Sequence, residues 1–365
     1  MDGRGFRQVF GYGEFRGLWL GGLLSRAGDQ LARVALAVIA YERTGSAALT
    51  AVVYALTLVP ALVGGPLLGW LADRWPRREV MIGADLARMV LIGLVAIPWM
   101  PFPVLCGLVF VAQLLDSPAK AARIAMIPDI LPAGVYATGV AVNYLTSQTM
   151  TLLGFAGGGL VVALVGPGVS LAIDAATFAG CALITAVTVR RRPAAGRRDG
   201  GGSWRASTGT GLRLVTGTPR LRGLLVLALM CAFHVIPEGI AVPYAASLGL
   251  GAVEAGLLMA AIPVGTVTGV FLLTRYVPVD GRLRLMGPMA VAAGVPLVLS
   301  VFQPGFWVLL GLWVLTGALS SYQVSANAEF VRIVPPERRG QAGGLASSAL
   351  GAGQGVGAGS YTPLP

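Results

Sequence analysis

Charge is scarce in this sequence. Only 12% of its 365 residues are Asp, Glu, Lys or Arg, about half the share of a soluble domain, so a soluble globular chain is excluded. Histidine occurs once, at His234, and cysteine three times, at Cys106, Cys181 and Cys231. That supply offers no metal-ligand spacing. An odd number of thiols lying inside apolar runs reads as packed, inert sulfur rather than a disulfide framework. A G-x-x-x-x-G-K-[ST] phosphate loop is missing too, as is any extramembrane domain to hold a nucleotide. Enzymatic and ATP-driven readings therefore fall away, and no cofactor or metal is expected. The opening stretch MDGRGFRQVFGYGEFRG lacks the apolar core and small-residue cleavage site of a secretory signal. It is expected to lie along the inner membrane face, with the first apolar span acting as its own insertion signal.

Apolar residues fill the space that charge leaves. They make up 55% of the chain, and the mean hydropathy is +0.76. Runs of about 20 apolar residues, each long enough to cross hydrocarbon as a helix, recur at 17–41, 47–72, 79–99, 103–118, 136–165, 169–189, 223–248, 253–274, 283–301, 306–330 and 341–360. The fold class that follows is an all-α polytopic membrane protein. A net charge of +11 would suit nucleic acid, but the positions of the cations argue otherwise. With the N-terminus inside, 23 of the 27 basic residues fall in inner segments and the outer loops hold only Arg43. This is the positive-inside pattern of a plasma-membrane protein with a cytoplasmic N-terminus, with added attraction to anionic lipid.

The spans form two blocks. Residues 1–189 hold six; 190–222, basic and rich in Gly and Ser, read as a flexible cytoplasmic connector; and 223–365 hold five. The charged turn TRYVPVDGRLR (274–284) echoes GWLADRWPRREVM (69–81) at the same place in the second block, which suggests duplicated halves. The last 26 residues include 8 glycines and few large apolar side chains, making span eleven a weak helix. The sequence is expected to lack a twelfth span.

GWLADRWPRR resembles the loop between spans two and three of the major facilitator superfamily, G-x-L-x-D-R-x-G-R-R/K. Gly69, Leu71, Asp73, Arg74, Arg77 and Arg78 match, and Pro76 stands where Gly is usual. DSPAKAARIAMIPDIL (116–131) and VPPERRGQAGGL (334–345) are similar to the loop after span four and the loop before span eleven in the branch holding enterobactin-type siderophore exporters and macrolide-efflux proteins. The resemblance implies the major facilitator fold, here a six-helix bundle followed by an incomplete five-helix one. It also implies a gating motif in which Asp73 faces the N-terminal end of span eleven. Arg74, Arg77 and Arg78 then act as gate contacts or as topology signals, and glycines at 64, 65 and 69 let helix two approach a neighbour closely. The pattern departs at two points. Phe155 replaces a usual proline in GFAGGG (154–159), and no arginine falls inside span four as bounded above.

Charges inside spans are costly and mark function by default. Span one carries Arg26, Asp29 and Arg33 on one stripe, either a self-neutralising ladder or a coupling site. Span four offers Gln113 and Asp116, span seven His234 and Glu238, and span ten Tyr322, Gln323 and Asn327. Spans one, four, seven and ten are those that the resemblance implies line the cavity. Candidates for proton coupling or cavity contact are therefore Asp29, Arg33, Gln113, Asp116, His234, Glu238, Gln323 and Asn327. Asp85 with Arg88, and Asp174, read as structural. The expected function is proton-coupled export of a drug, macrolide or siderophore-like small molecule by a monomer in contact with membrane lipid. The alternatives are an importer or uniporter of a small metabolite, and a truncated remnant that does not transport.

Overall fold

The computed structural model describes residues 7–60, 64, 68, 71–193, 218–232 and 236–333. Their regular elements are helices, with no strand among the described residues. In chain order these are α1 (Gly13–Thr44), α2 (Ala47–Leu56), α3 (Leu71–Arg74), α4 (Arg77–Val95), α5 (Phe102–Ile130), α6 (Ala133–Thr188), α7 (Pro219–Ala232), α8 (Ile236–Ser247), α9 (Ala252–Tyr276), α10 (Val279–Ala292), α11 (Gly294–Leu299), α12 (Phe306–Ser320) and α13 (Tyr322–Ile333). Gly65, Gly69, the Asp73 side chain, His234, residues 194–217 and span eleven lie outside the described residues.

Proline sets many of the boundaries. Pro76, Pro101, Pro132 and Pro278 occupy the N-cap positions of α4, α5, α6 and α10, where a fixed φ suits the entry and no helical N–H is lost. Spans five and six are joined with almost no loop: α6 is two helices meeting at Gly166, whose φ of 81° only glycine adopts readily, and Pro167 starts the second. Hydroxyls inside the helices donate back to carbonyls one turn earlier, as Thr151 does to Ser147, Ser170 to Gly166 and Thr266 to Ile262. In a lipid environment this keeps each polar group satisfied within its own segment.

Helix α5 corrects one sequence-based boundary. Span four was expected to end at 118, with 116–131 as a loop, yet α5 continues through Pro118 and Pro128 to Ile130. AKAARIAM is rich in strong helix formers, and neighbouring helices tolerate the two prolines. Lys120 and Arg123 therefore sit on a helix rather than in an inner loop, and span four does contain an arginine. Asp116 becomes the fifteenth of 29 helical residues, at the middle of the span instead of its end.

Among the described residues five stretches are long and apolar enough to cross a membrane: Phe102–Ile130, Gly134–Thr188, Ala252–Tyr276, Asp280–Phe302 and Phe306–Phe330. Large apolar side chains such as Leu164, Val187, Phe271, Phe302 and Trp307 point outward and stay exposed, as faces turned to hydrocarbon must. The chain forms two compact units. Unit one holds Met1–Ile39 and Val63–Asp199; unit two holds Ala40–Leu62 and Gly200–Pro365. Residues 40–62, placed by sequence in the first block, join unit two because α2 packs on α8, with Gly239 opposite Tyr54 and Ala51. In unit one Phe15, Leu18, Met81, Met126 and Leu131 form a buried cluster on which Phe10 and Trp19 rest. In unit two Leu221, Leu224, Met286, Tyr322 and Phe330 do the same.

Unit two's tightest crossing is that of α9 with α12. A Cβ on Gly265 would stand 1.9 Å from the Val314 carbonyl oxygen, and one on Gly317 would stand 2.1 Å from that of Ile262. The backbones touch because both helices present glycine there. Gly265→Ala should cost about 1–3 kcal/mol through overpacking and lower the unfolding temperature in detergent. Gly287→Ala on α10, with nothing within 4 Å of its added Cβ, should leave that temperature unchanged or raise it. Equal melting of the two variants would mean that the α9–α12 crossing is not close-packed.

Candidate functional site

Arg88 occupies the twelfth of the 19 positions of α4, and only 1% of its side chain is exposed. Its Nη2 lies 2.6 Å from Asp29 Oδ1 on α1, and its Nη1 3.1 Å from Asp116 Oδ1 on α5. The guanidinium carbon stands 4.1 Å from the centroid of the Phe178 ring on α6, a cation–π distance. One guanidinium thus ties four helices together. Lys120 Nζ reaches the other oxygen of Asp116 at 2.5 Å, with half of its own side chain exposed. Asp29 is the seventeenth of 32 residues in α1, so all three members of the central triad sit near mid-helix. Gln113, one turn before Asp116 on α5, is buried beside the network.

Further charges crowd this centre. Arg26 Nη1 donates to Asn143 Oδ1 at 3.1 Å, and Arg26 and Arg123 converge over Gly22, where a side chain would meet both. Asp174 on α6 fits only because position 28 is glycine: a Cβ there would lie 2.2 Å from Asp174 Oδ1. Gly154 and Gly158 bring α6 against Gln30 and Leu31 of α1 in the same way. Asp85 is wholly buried one turn from Arg88. In total, four carboxylates (Asp29, Asp85, Asp116 and Asp174) interact with four cations (Arg26, Arg88, Lys120 and Arg123).

Two sequence-based expectations change here. Arg26–Asp29–Arg33 is not a ladder: Asp29 pairs with Arg88, Arg26 binds Asn143, and the Nε of Arg33 is buried without a hydrogen bond. Nor do Asp85 and Arg88 form a pair of their own. A same-helix stripe is visible in sequence, whereas the cross-helix partner is nearer in space. Sequence reasoning missed Lys120 and Arg123 as members because it ends span four too early; the alanine-rich run around them was the available signal.

In unit two the Tyr54 hydroxyl, itself buried, donates to Glu238 Oε2 on α8. Tyr54 was another residue that sequence reasoning missed, being one aromatic among many in apolar runs. Gln323 is half-buried and Asn327 exposed on α13. Tyr322, expected among the cavity residues, is buried and donates to the Leu227 carbonyl at 2.9 Å, a packing role.

The arginines of the charged turn divide their work. Arg77 Nη1 bonds Asp129 Oδ2 at 2.6 Å and the Ala125 carbonyl at 2.8 Å. Arg78 donates to the Ala186 carbonyl at 2.5 Å, capping the C-terminal turn of α6. Arg74 is exposed. Arg190 and Arg192 flank Glu14, and Arg191 meets Glu79 at 2.7 Å, so the first residues of the expected flexible linker are anchored to unit one.

Removing one partner of a buried pair leaves a charge without compensation, at a cost of about 3–5 kcal/mol. Arg88→Met should lose about that much and sharply lower the yield of folded protein. Lys120→Gln, at the half-exposed rim, should cost under about 1 kcal/mol. Thermal unfolding of both variants in detergent checks the contrast, and similar losses would show that Arg88 is not the centre of the network.

The sequence model of the Major Facilitator Superfamily matches residues 18–358. Macrolide efflux protein A of Streptococcus pyogenes is 36% identical over 73 residues, a stretch covering 20% of this chain and only 18% of that protein. An uncharacterized MFS-type transporter of Sinorhizobium fredii is 28% identical over 288 residues, 76% of this chain and 70% of its own. Among solved structures, a point mutant of the nucleoside transporter NupG aligns with a TM-score of 0.75 at 16% identity, covering 95% of this chain and 90% of its own. A bacterial homologue of the lysosomal transporter Spinster, inward-facing and occupied, aligns at 0.69 and 18%, covering 93% and 79%. Identity this low carries the fold alone, but the family match runs over most of the sequence, and the chain belongs to the major facilitator superfamily.

Proposed function

We propose that this secondary transporter exports a bulky, partly apolar small molecule of the drug, macrolide or siderophore class, driven by proton entry across the plasma membrane. The cycle is one of alternating access by a monomer embedded in lipid, with the N-terminus and linker cytoplasmic. The observation that carries this reading is the Asp29–Arg88–Asp116 triad, held near the middle of α1, α4 and α5. Ionisable groups at that depth are costly and are kept where charge moves. One charge crossing about 100 mV supplies about 2.3 kcal/mol, more than the 1.4 kcal/mol or so that a tenfold gradient of neutral solute demands. A single proton per cycle is therefore sufficient drive. The export direction is supported by the short match to macrolide efflux protein A.

Two carboxylates are assigned to the coupling step. Asp29 is joined to Arg88. Glu238 takes the Tyr54 hydroxyl, and His234 lies four residues before it. Gln113, Asp116, Arg33, Gln323 and Asn327 remain candidate substrate contacts. Asp73, Gly69 and Arg74 are assigned to the gate with Arg77 and Arg78.

A second reading is uptake of a small metabolite, since structures named as a nucleoside transporter and a peptide transporter are built on the same fold. Inverted vesicles separate the two. A fluorescent macrolide or drug probe should accumulate in them only when a proton gradient is imposed, and accumulation by Asp29→Asn and Glu238→Gln should lose its dependence on the gradient. Undiminished gradient-driven accumulation in both single variants and the double variant would remove these carboxylates from the coupling step. Probe movement in the uptake direction would favour the second reading.

A further inference from the structure

The Arg88 network contains two unused groups that complement each other. Both carboxyl oxygens of Asp85 are buried and have no hydrogen-bond partner, and the Nε–H of Arg88 is buried and equally unpartnered. The residues sit three apart on α4, a spacing that places side chains on one helix face with about 5–6 Å between Cβ atoms. An acceptor and a donor that could satisfy each other are thus left apart, while the guanidinium reaches away to Asp29 and Asp116.

We propose that Asp85 is a buried proton-binding site whose occupancy decides which carboxylates hold Arg88. Its use in transport rests on the proton-coupled reading above; its existence does not. The groups that face it are Arg88 on its own helix, Asp116 and Arg123 on α5, Asp29 on α1 and the Cys181 thiol on α6. A carboxylate without a donor is a costly thing to bury, whereas a carboxylic acid is neutral. The observed arrangement, Arg88 bonded elsewhere and Asp85 without a hydrogen bond, fits the protonated acid.

The step is an acid dissociation. The Asp85 O–H bond breaks, its electron pair stays on oxygen, and the proton passes to water. Asp85 then becomes an acceptor only, in the low-dielectric neighbourhood of an unsatisfied Arg88 Nε–H. A guanidinium is planar, and its five N–H groups point in fixed directions. Turning it towards Asp85 takes Nη1 and Nη2 out of line with Asp116 and Asp29, which loosens the tie of α4 to α5 and α1. A proton bound at Asp85 thus favours the tied arrangement, and its release favours the loosened one.

The test reads the acid directly and needs neither substrate nor gradient, so it stands apart from the vesicle assay. Full-length protein with 13C-labelled aspartate, in liposomes, is titrated from acid to alkaline pH by difference infrared spectroscopy. The expected result is a protonated-carboxyl C=O band that fades as pH rises, is absent from Asp85→Asn and persists in Asp174→Asn. No titrating aspartic acid band in the unmutated protein would overturn the proposal. So would a band that survives Asp85→Asn or vanishes in Asp174→Asn. Should Asp85→Asn fail to fold, Asp85→Glu in the same aspartate-labelled protein should lose the labelled band, and a band left unchanged there would overturn the proposal equally.

Discussion

A guanidinium inside a membrane bundle cannot shed its charge. Its affinity for the proton is too high for burial to neutralise it, so the fold must bring carboxylates to it. Arg88 imposes this on unit one. Asp29 comes from α1, Asp116 from α5 and the Phe178 face from α6. Each bond is made across a helix–helix contact, so the positions of three neighbours relative to α4 depend on a single side chain. The order of dependence runs from that residue outward, because Lys120 engages Asp116 only on the oxygen that Arg88 leaves free.

Close packing makes the network possible. Gly22, Gly28, Gly154 and Gly158 leave room where side chains of the network or the backbone of α1 must pass. Without such gaps α1 and α6 would stand further apart, and Asp174 would be forced out of its place beside Gly28. In lipid there is no hydrophobic drive holding helices together, so contacts of this kind, with van der Waals packing and interhelical hydrogen bonds, carry the association. The glycines are thus part of the electrostatics, since the strength of each ion pair depends on distances that bulkier residues would lengthen.

Helix-scale features were readable because apolar length and proline position are local signals. The runs expected from 79, 103 and 283 correspond to α4, α5 and α10, which start at 77, 102 and 279, each behind a proline, and the membrane class follows from scarce charge. Asp29 and Asp116 were legible as candidates because a lone acid in an apolar run stands out. Their partner was not: Arg88 lies 59 residues from Asp29 and 28 from Asp116, and nothing in a linear pattern says which acid it meets. Lys120 and Arg123 were hidden by a different error. Two prolines and a cluster of charge look like a loop, yet membrane helices accommodate both when neighbours cover the exposed backbone. The Tyr54–Glu238 bond spans 184 residues and left no mark in the sequence.

The two units are held together internally by different physics, and this bears on where coupling would reside. In unit two α9 and α12 meet backbone to backbone at Gly265, Gly269 and Gly317, a contact with one satisfactory arrangement and nothing to titrate. Unit one is joined by charges, and a set of carboxylates around one guanidinium admits more than one pairing. A packed crossing transmits motion as a rigid body, whereas an exchangeable ion pair can store two states separated by a few kcal/mol. A proton can bias the second kind of joint and has no purchase on the first. In the proposed proton-coupled cycle, the Arg88 network of α1, α4 and α5 is thus the joint within unit one that a change of one charge can retie.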